Sequence, residues 1–356
     1  MIVKRFSTRF ERQDMAFVQK HGFFRASRMV RDHVKQHKTA PFIADIHQLS
    51  HAVGLRPREM FRMARHPERY YRTLLIPKKS GGVRVLHVPL ATLKAAQQHV
   101  LHRVVNHLPV SPYATAYRPG TSLADNAAPH VGHKYLLKMD VTDFFGSITY
   151  LQVISAAFPS TLYPPQIGAI LTNLCCYKDA LPQGAPTSPG LSNVVMRHFD
   201  DTLGGWCQQH GIAYTRYCDD LTFSSDKPLY HVYQKVKKKL EDYGFEVNEN
   251  KTHFLTNGNR QMVTGLTVNE KVSVPIDYKR QLRQDVYYAV KFGLEDSIRR
   301  GNKPYLTSRQ TPDVERYYNH LKGQLNYVLQ IEPDNRWFAK AREDLRKQYE
   351  EETRFY

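Results

Sequence analysis

The chain has 356 residues, of which 41% are hydrophobic, so it can bury one large core or several smaller ones without disulfide or metal staples. Its 51 Lys and Arg residues exceed its 33 Asp and Glu residues by 18, and this excess indicates a polyanionic partner, most simply nucleic acid. The N-terminal MIVKRFSTRFERQ is interrupted by charge, and no run reaches about 18 uncharged apolar residues. We therefore expect neither a signal peptide nor a membrane span.

The first forty residues hold ten Lys or Arg residues against three acids, with phenylalanines spaced among them, and they predict basic amphipathic helices. Residues 71–90 show two β-rich runs separated by KKSGG, a pattern typical of a hairpin with a glycine-containing turn. Helical spacing follows over 91–107. The run KYLLKMD at 134–140 then predicts a buried strand that ends in Asp140.

The second half alternates helices and strands before it becomes wholly helical. A helix is expected near 150–175 and another after Pro189, followed by two short strands, IAYTRY and LTFSS. A basic helix ends at Gly244, and from about Pro275 the pattern is helical, Tyr-rich and basic. This order predicts an α+β fold with a mostly antiparallel sheet and a separate helical subdomain.

The cysteines show neither the paired spacing of a metal site nor a disulfide framework, so we expect reduced, buried thiols in a cytoplasmic protein. They are Cys175, Cys176, Cys207 and Cys218.

Two adjacent acids, Asp219 and Asp220, interrupt the strand-like stretch RYCDDLTFSS. Neighbouring strand residues point to opposite faces, so the pair can share a site only at a hairpin tip. Crowded carboxylates need cations, and their oxygens suit Mg²⁺, with Mn²⁺ as a substitute. Asp140 is the best third ligand and Asp143 a weaker one. Three carboxylates that hold two ions indicate nucleotidyl transfer, whereas the dipeptide alone also fits an exposed turn.

Four ordered motifs resemble the reverse transcriptases, and the match covers roughly residues 70–270. These motifs are IPKKSGGVR at 76–84, MDVTDFFGSI at 139–148, LPQGAPTSPGLSN at 181–193 and YCDD at 217–220. The resemblance implies a right-hand polymerase with fingers, an antiparallel-sheet palm and a helical thumb. It implies that Asp140, Asp219 and Asp220 are the catalytic, metal-binding triad.

The same resemblance implies a set of nucleotide contacts. Phe145 matches the aromatic residue beneath the incoming sugar, which favours deoxynucleotides, and Lys251 matches the lysine segment after the palm, with a role in protonating pyrophosphate. The other matching positions are Lys78, Lys79, Arg84, Gln183 and Gly184. Cationic donors on a hairpin suit a triphosphate, since charge-assisted hydrogen bonds to phosphate are strong. The alternatives are a solvated turn for the two lysines and core packing for Phe145.

Two shorter motifs resemble those of the bacterial retron enzymes. NAAPH at 126–130 is similar to their Asn-Ala-x-x-His motif, and MVTGLTVN at 262–269 to their Val-Thr-Gly motif. The resemblance makes these residues candidates for RNA recognition, with five cations of the helical region as phosphate contacts. The RNA-binding candidates are Asn126, His130, Val263, Thr264, Gly265, Arg280, Arg283, Lys291, Arg299 and Arg300. The alternatives are a buried histidine, a strand turning at glycine, and solvated helix faces.

By this resemblance the chain has four parts: a basic helical N-terminal region at 1–70, fingers with a retron-like insertion at 71–133, a palm at 134–274 and a basic, RNA-binding thumb at 275–356. It implies copying of part of a structured non-coding RNA into DNA from deoxynucleoside triphosphates with two Mg²⁺ ions. It also implies priming from a guanosine 2′-hydroxyl, a branched RNA–DNA product (msDNA), and an effector protein in anti-phage defence.

Two other interpretations remain open. One is a different bacterial reverse transcriptase, linked to a group II intron or a CRISPR locus. Only some eighty residues follow the palm, and this length disfavours the extra domains expected of a group II intron enzyme. The other is a non-catalytic RNA-binding protein of the same fold, for which damaged carboxylates are expected.

Overall fold

The computed structural model describes residues 29, 40–77, 81–301, 303–306 and 311–354. Most of the predicted basic N-terminal region lies outside these ranges. The chain divides into two compact units. The first comprises Met1–Thr121, Leu137–Ser224 and Pro228–Phe254, and the second comprises Ser122–Leu136, Ser225–Lys227 and Leu255–Tyr356. The four-part division predicted from the sequence stays a prediction.

The elements of the first half alternate between helices and a hairpin. In chain order they are α1 (Ile46–Val53), α2 (Pro57–Arg65), β1 (Tyr71–Pro77), β2 (Val83–Pro89), α3 (Ala91–Arg103), α4 (Leu123–Ala127), β3 (Tyr135–Asp140), α5 (Tyr150–Ala157) and α6 (Pro165–Cys175). Strands β1 and β2 pair antiparallel from Tyr71 opposite Pro89 to Pro77 opposite Val83, which confirms the predicted hairpin.

The second half continues from the sheet into helices. Its elements are α7 (Ser188–Val195), α8 (Arg197–Gln209), β4 (Ala213–Tyr217), β5 (Asp220–Ser225), α9 (Tyr230–Asp242), β6 (His253–Thr256), β7 (Met262–Val263), β8 (Leu266–Thr267), α10 (Ile276–Phe292), α11 (Leu294–Arg300), α12 (Val314–Ile331) and α13 (Arg336–Thr353). Short 3₁₀ turns lie at Pro67–Tyr70, Val105–His107, Ala128–His130, Glu249–Lys251 and Lys303–Tyr305.

A four-stranded sheet in the order β4–β5–β3–β6 carries the acidic residues. Strand β5 is buried at every position after Asp220, so its run LTFSS packs on both faces. Helix α5 beside it begins at Thr149, whose hydroxyl accepts from the Gln152 N–H while the Gln152 side chain accepts from the Thr149 N–H. This reciprocal cap explains why the chain turns into a helix ten residues after β3.

The second unit has its own apolar core, built by α10 to α13 and the short pair β7–β8. On α10, Leu282, Val286 and Ala289 are buried at helical spacing, while Tyr287 and Tyr288 beside them are about half exposed. The predicted helical character from about Pro275 onward is confirmed. Among the residues that the structure describes, no helix is long and apolar enough to cross a membrane.

All four cysteines are buried and free, as the sequence predicts. Burial raises the pKa of the Cys175, Cys207 and Cys218 thiols to about 12. Because the thiolate is the nucleophilic form, these groups are inert near neutral pH.

Two neighbouring glycines of α8 allow a matched test of the packing in the first unit. A methyl group at Gly204 would overlap the ring of Tyr113, whereas one at Gly205 would meet nothing within 4 Å. Gly204→Ala should lower the free energy of unfolding by about 1–3 kcal/mol through overpacking. Gly205→Ala should raise it by up to about 1 kcal/mol through helix propensity. Thermal unfolding of both variants checks this, and equal shifts in the two melting temperatures would contradict the packing described.

Candidate active site

The hairpin between β4 and β5 carries the two adjacent aspartates at its tip, as predicted. Tyr217 lies opposite Asp220 in the antiparallel register, so Cys218 and Asp219 form a two-residue turn. Cys218 has a left-handed backbone with φ of 62°. This conformation costs a residue with a side chain about 1–2 kcal/mol, so other contacts must hold the turn.

Asp140 ends β3 beside this turn. The N–H of Val141 donates to the carbonyl oxygen of Asp219 at 3.1 Å, and the N–H of Asn248 donates to the carbonyl oxygen of Asp140 at 2.8 Å. Only 6% of Asp140 is exposed. The backbone therefore fixes the strand end against the hairpin tip, and the sheet delivers all three predicted acids to one place.

Lys251 holds the Asp140 carboxylate in this structure. Its ammonium group donates to both carboxylate oxygens at 2.9 and 3.0 Å, and the Asn248 side-chain amide donates to Oδ2 at 3.2 Å. The hydrogen bond to Asp140 raises the pKa of Lys251, and the charges of Asp219 and Asp220 add to the effect. One cation thus interacts with all three acids.

The carboxylates also act on one another. Burial raises the pKa of Asp220, and the negative charges of Asp219 and Asp140 raise it further, while Lys138 and Lys251 oppose the shift. Asp219 and Asp140 therefore make ionisation of Asp220 more costly, and a bound cation would relieve this cost.

In the part of the chain that the structure describes, no group of three or more His, Cys, Asp or Glu side chains forms a preformed metal cluster. The chemistry of the donors nevertheless fits a divalent ion. The oxygens of Asp140, Asp219 and Asp220 are the hard ligands that Mg²⁺ prefers, and an ammonium group already lies against Asp140 as a stand-in cation. These three residues would hold such ions.

A buried arginine is hydrogen-bonded to the turn. Arg216 is 0% exposed, and its guanidinium pairs with Asp200 of α8 through contacts of 2.6, 2.9 and 3.1 Å. Its Nη1 donates to the Cys218 carbonyl oxygen at 2.9 Å. The arginine thus binds directly to the left-handed residue of the acidic turn.

The same arginine connects the turn to α7. Its Nη2 donates to Oδ1 of Asn193 at 3.2 Å, and the Asn193 side chain donates to the Ala116 carbonyl oxygen at 2.7 Å. Tyr214 completes the network by donating its hydroxyl to Asp200 at 2.8 Å. No sequence pattern singled out Arg216, Asp200 or Asn193. The available signal for Arg216 was its charge, which interrupts the otherwise uncharged strand run IAYTRY.

The motif MDVTDFFGSI, which contains Asp140, also carries an aromatic pair, Phe144 and Phe145. Phe144 is buried, and its ring centroid lies 5.4 Å from that of the half-buried Phe145 and 5.8 Å from the Arg216 guanidinium carbon. Asp143 is exposed and has φ of 41°. Phe145 therefore presents part of its ring outside the core, as its predicted contact with a sugar requires.

The LPQG segment lies against the hairpin β1–β2. The N–H of His87 donates to the Gln183 carbonyl oxygen at 2.9 Å, and a methyl group at Gly184 would lie 3.1 Å from the His87 carbonyl oxygen. Gly184 also has φ of 120°, which favours glycine. Arg84 is exposed on β2. Lys78 and Lys79 lie outside the described residues, so their predicted phosphate contact stays a prediction.

The two short motifs meet inside the second unit. The Asn126 side chain donates to the Thr264 hydroxyl at 3.4 Å. Asn126, His130 and Val263 are buried, and burial lowers the pKa of His130 to about 3, so the imidazole is neutral. Gly265 is exposed at the β7–β8 turn. Contact of these motifs with RNA stays a prediction. The exposed turn at Gly265 is a more suitable contact surface than the buried side chains are.

The five candidate cations of the helical unit have protein partners on its surface. Arg299 pairs with Glu295 at 2.6 Å, and Arg300 pairs with Asp296 at 3.2 Å. The remaining three are Arg280, 4.0 Å from Asp277, Arg283, 5.3 Å above the ring of Trp337, and Lys291, hydrogen-bonded to Tyr287 at 2.7 Å. A phosphate would have to replace these partners, and exposed ion pairs contribute little stability. Phosphate binding by the five cations stays a prediction.

The family of the chain is shown by a family model and by two curated relatives. A family model described as reverse transcriptase (RNA-dependent DNA polymerase) matches residues 76–285. Retron Mx65 reverse transcriptase of Myxococcus xanthus is 35% identical over 302 residues, which span 80% of this chain and 66% of that protein. Retron Ec86 reverse transcriptase of Escherichia coli is 31% identical over 305 residues, which span 82% of this chain and 86% of that protein. A telomerase of Candida albicans, solved with a fragment of telomeric RNA, aligns over 79% of this chain and 60% of its own at 12% identity and a TM-score of 0.43.

The Arg216 network can be tested through stability. Arg216→Met leaves Asp200 buried without its partner, and the free energy of unfolding should fall by about 3–5 kcal/mol. The double variant Arg216→Met, Asp200→Leu removes both charges and should recover part of this loss, with Tyr214 still lacking its acceptor. Arg197→Met, which breaks an exposed 3.6 Å pair with Asp201 on the same helix, serves as the control and should cost at most about 1 kcal/mol. A single variant as stable as this control, measured by thermal unfolding, would refute the network's role.

Proposed function

Because the chain belongs to the reverse transcriptase family, and within it to the retron type, we propose that it copies part of a structured non-coding RNA into DNA by two-metal nucleotidyl transfer. The observation that carries this proposal is the convergence of Asp140, Asp219 and Asp220 at one end of the sheet, with Lys251 against the first of them. Intact carboxylates are what a catalytic member of the family needs.

The carboxylates have two tasks in this mechanism. They would hold the divalent ions, and their fixed positions at a strand end and a hairpin tip would orient the primer hydroxyl toward the α-phosphate of the nucleotide. Bound Mg²⁺ supplies Lewis-acid activation of that hydroxyl and neutralises charge on the leaving pyrophosphate. Lys251 is free to exchange Asp140 for a phosphate oxygen, because 59% of its side chain is exposed.

The surrounding residues would select and hold the deoxynucleoside triphosphate. Phe145 would lie beneath its sugar and exclude a ribose 2′-hydroxyl. Gln183 and Gly184 would pack near the base and template, since their segment is hydrogen-bonded to β2. Arg84, Lys78 and Lys79 would bind the phosphates, because β2, which carries Arg84, is hydrogen-bonded to this segment.

The second unit would recognise the RNA through shape and phosphate contacts. Its exposed turn at Gly265 and its basic helices support this assignment. We further propose a priming guanosine 2′-hydroxyl, a branched RNA–DNA product, a cytoplasmic location and a role with an effector protein in defence against phage. The retron type of the chain supports each of these finer points.

The carboxylates are the first target for a test. Asp219→Asn combined with Asp220→Asn should reduce incorporation of labelled deoxynucleotides on the co-expressed RNA by roughly 10³-fold, since metal stabilisation of the transition state is worth several kcal/mol. Asp201→Asn removes one carboxylate charge from an exposed site of α8 and should retain activity. Equal incorporation by the double variant would overturn the polymerase assignment, and an inactive unmodified chain would favour an RNA-binding protein of the same fold.

Lys251 gives a separate prediction about the cation site. Lys251→Gln removes the ammonium group that competes for Asp140, so Mg²⁺ should bind several-fold more tightly in titration calorimetry without nucleotide. Lys238→Gln, a change of the same charge at an exposed position of α9, controls for long-range electrostatics. Weaker Mg²⁺ binding by the Lys251 variant than by the Lys238 variant would show that Lys251 is not a stand-in for the ion.

A further inference from the structure

A cavity of about 510 Å³ opens on the surface of the second unit, within the volume range of sites that bind small organic groups. It is formed by one face of α10 together with parts of α11 and α12. Its lining residues are Gln281, Gln284, Asp285, Tyr288, Phe292, Ser297, Arg300, Gly301 and Tyr317.

The lining of α10 is ordered along the helix. Gln281, Asp285, Tyr288 and Phe292 follow each other at intervals of four, three and four residues, so they form one stripe. The polar pair lies toward the N-terminal end of this stripe and the aromatic pair toward the C-terminal end. The cavity therefore has a hydrogen-bonding end and a stacking end.

The stacking end combines two stacked rings with a guanidinium group. The rings of Tyr288 and Phe292 lie 5.9 Å apart at 26°, and both residues are more than 40% exposed. The guanidinium carbon of Arg300 lies 5.5 Å from the Phe292 ring centroid. Aromatic rings and guanidinium planes are the surfaces on which unpaired bases stack.

The polar end offers acceptors. The Gln281 side-chain amide donates to Oδ1 of Asp285 at 3.0 Å, which fixes the carboxylate. Oδ2 of Asp285 and Oε1 of Gln281 remain acceptor atoms by their chemistry. Burial raises the pKa of Asp285, and the hydrogen bond from Gln281 opposes that shift.

We propose that this cavity binds a single unpaired guanine of the RNA partner. The proposal rests on the proposed function, because it assigns part of the RNA recognition to the second unit. A guanine presents two adjacent donors, N1–H and the N2 amino group, on its Watson–Crick edge. The polar end offers two acceptors, Oδ2 of Asp285 and Oε1 of Gln281, on side chains that are hydrogen-bonded to each other. Adenine and cytosine each place an acceptor beside their amino group and uracil has a single donor, so they would leave one acceptor of the pair unmatched.

A base explains the combination of groups better than a phosphate does. A carboxylate at the polar end would repel a phosphate, whereas the stacked rings accept any base face. Arg300 at the rim would then bind the phosphate that precedes or follows the inserted base. The cavity thus reads one base while the surrounding cations bind the backbone.

The experiment uses the full chain and fluorescently labelled nine-nucleotide uridine RNAs with a central G, A or C. Anisotropy titration should give a dissociation constant about tenfold lower for the G oligonucleotide than for the A oligonucleotide. Asp285→Asn should abolish this preference. Asp277→Asn, an exposed acid of the same helix, should retain it.

The stacking end is tested with a second pair of variants. Tyr288→Ala should weaken binding of the G and A oligonucleotides roughly tenfold. Tyr287→Ala removes the adjacent exposed ring, which does not line the cavity, and should change these constants less than twofold. Equal affinity of the unmodified chain for all three oligonucleotides, or a G preference that survives Asp285→Asn, would overturn the proposal.

Failure of this proposal is distinguishable from failure of the proposed function. Asp285→Asn should still extend a DNA primer on a generic RNA template at the rate of the unmodified chain. The variant with both Asp219→Asn and Asp220→Asn should lose extension but keep the G preference. Loss of the G preference in that variant would contradict independent sites.

Discussion

The buried pair of Arg216 and Asp200 is the interaction on which the candidate site depends. Moving two charges out of water costs several kcal/mol per ion, and the pair offsets this cost only because its hydrogen bonds are satisfied by the Cys218 carbonyl, Asn193 and Tyr214. Such a pair therefore contributes little net stability. Its value lies in geometry: it holds the carbonyl of a left-handed residue next to two aspartates.

That geometry brings like charges together, and the local electrostatics follow from it. Burial and the neighbouring carboxylates raise the pKa of Asp220, and Lys251 partly compensates by pairing with Asp140. A rigid support is needed because repulsion would otherwise open the turn. The same repulsion favours cation binding, so the cost of assembling the site would also be the source of the proposed affinity for divalent ions.

The sequence predicted the acids because they break a local rule: a strand should not carry two adjacent charges unless a turn separates their faces. Asp140 followed from its position at a strand end. The sequence could not predict the contacts of Arg216 with Asp200 and Asn193. These contacts join a strand to two helices, and no local spacing encodes them. The hairpin, the palm strands and the helical C-terminal region followed from short-range patterns, which is why they were predictable.

The two short motifs show the same limit in another form. Asn126 and Thr264 are 138 positions apart, yet they meet in the second unit, while His130 is buried and neutral. The presence of both motifs in this chain is therefore explained by packing as well as by a partner, since they contact each other inside the second unit. A buried pair that fixes the exposed turn at Gly265 can shape a recognition surface without touching the RNA. The residues that read RNA are then sought among exposed rings and cations rather than among the motif residues themselves.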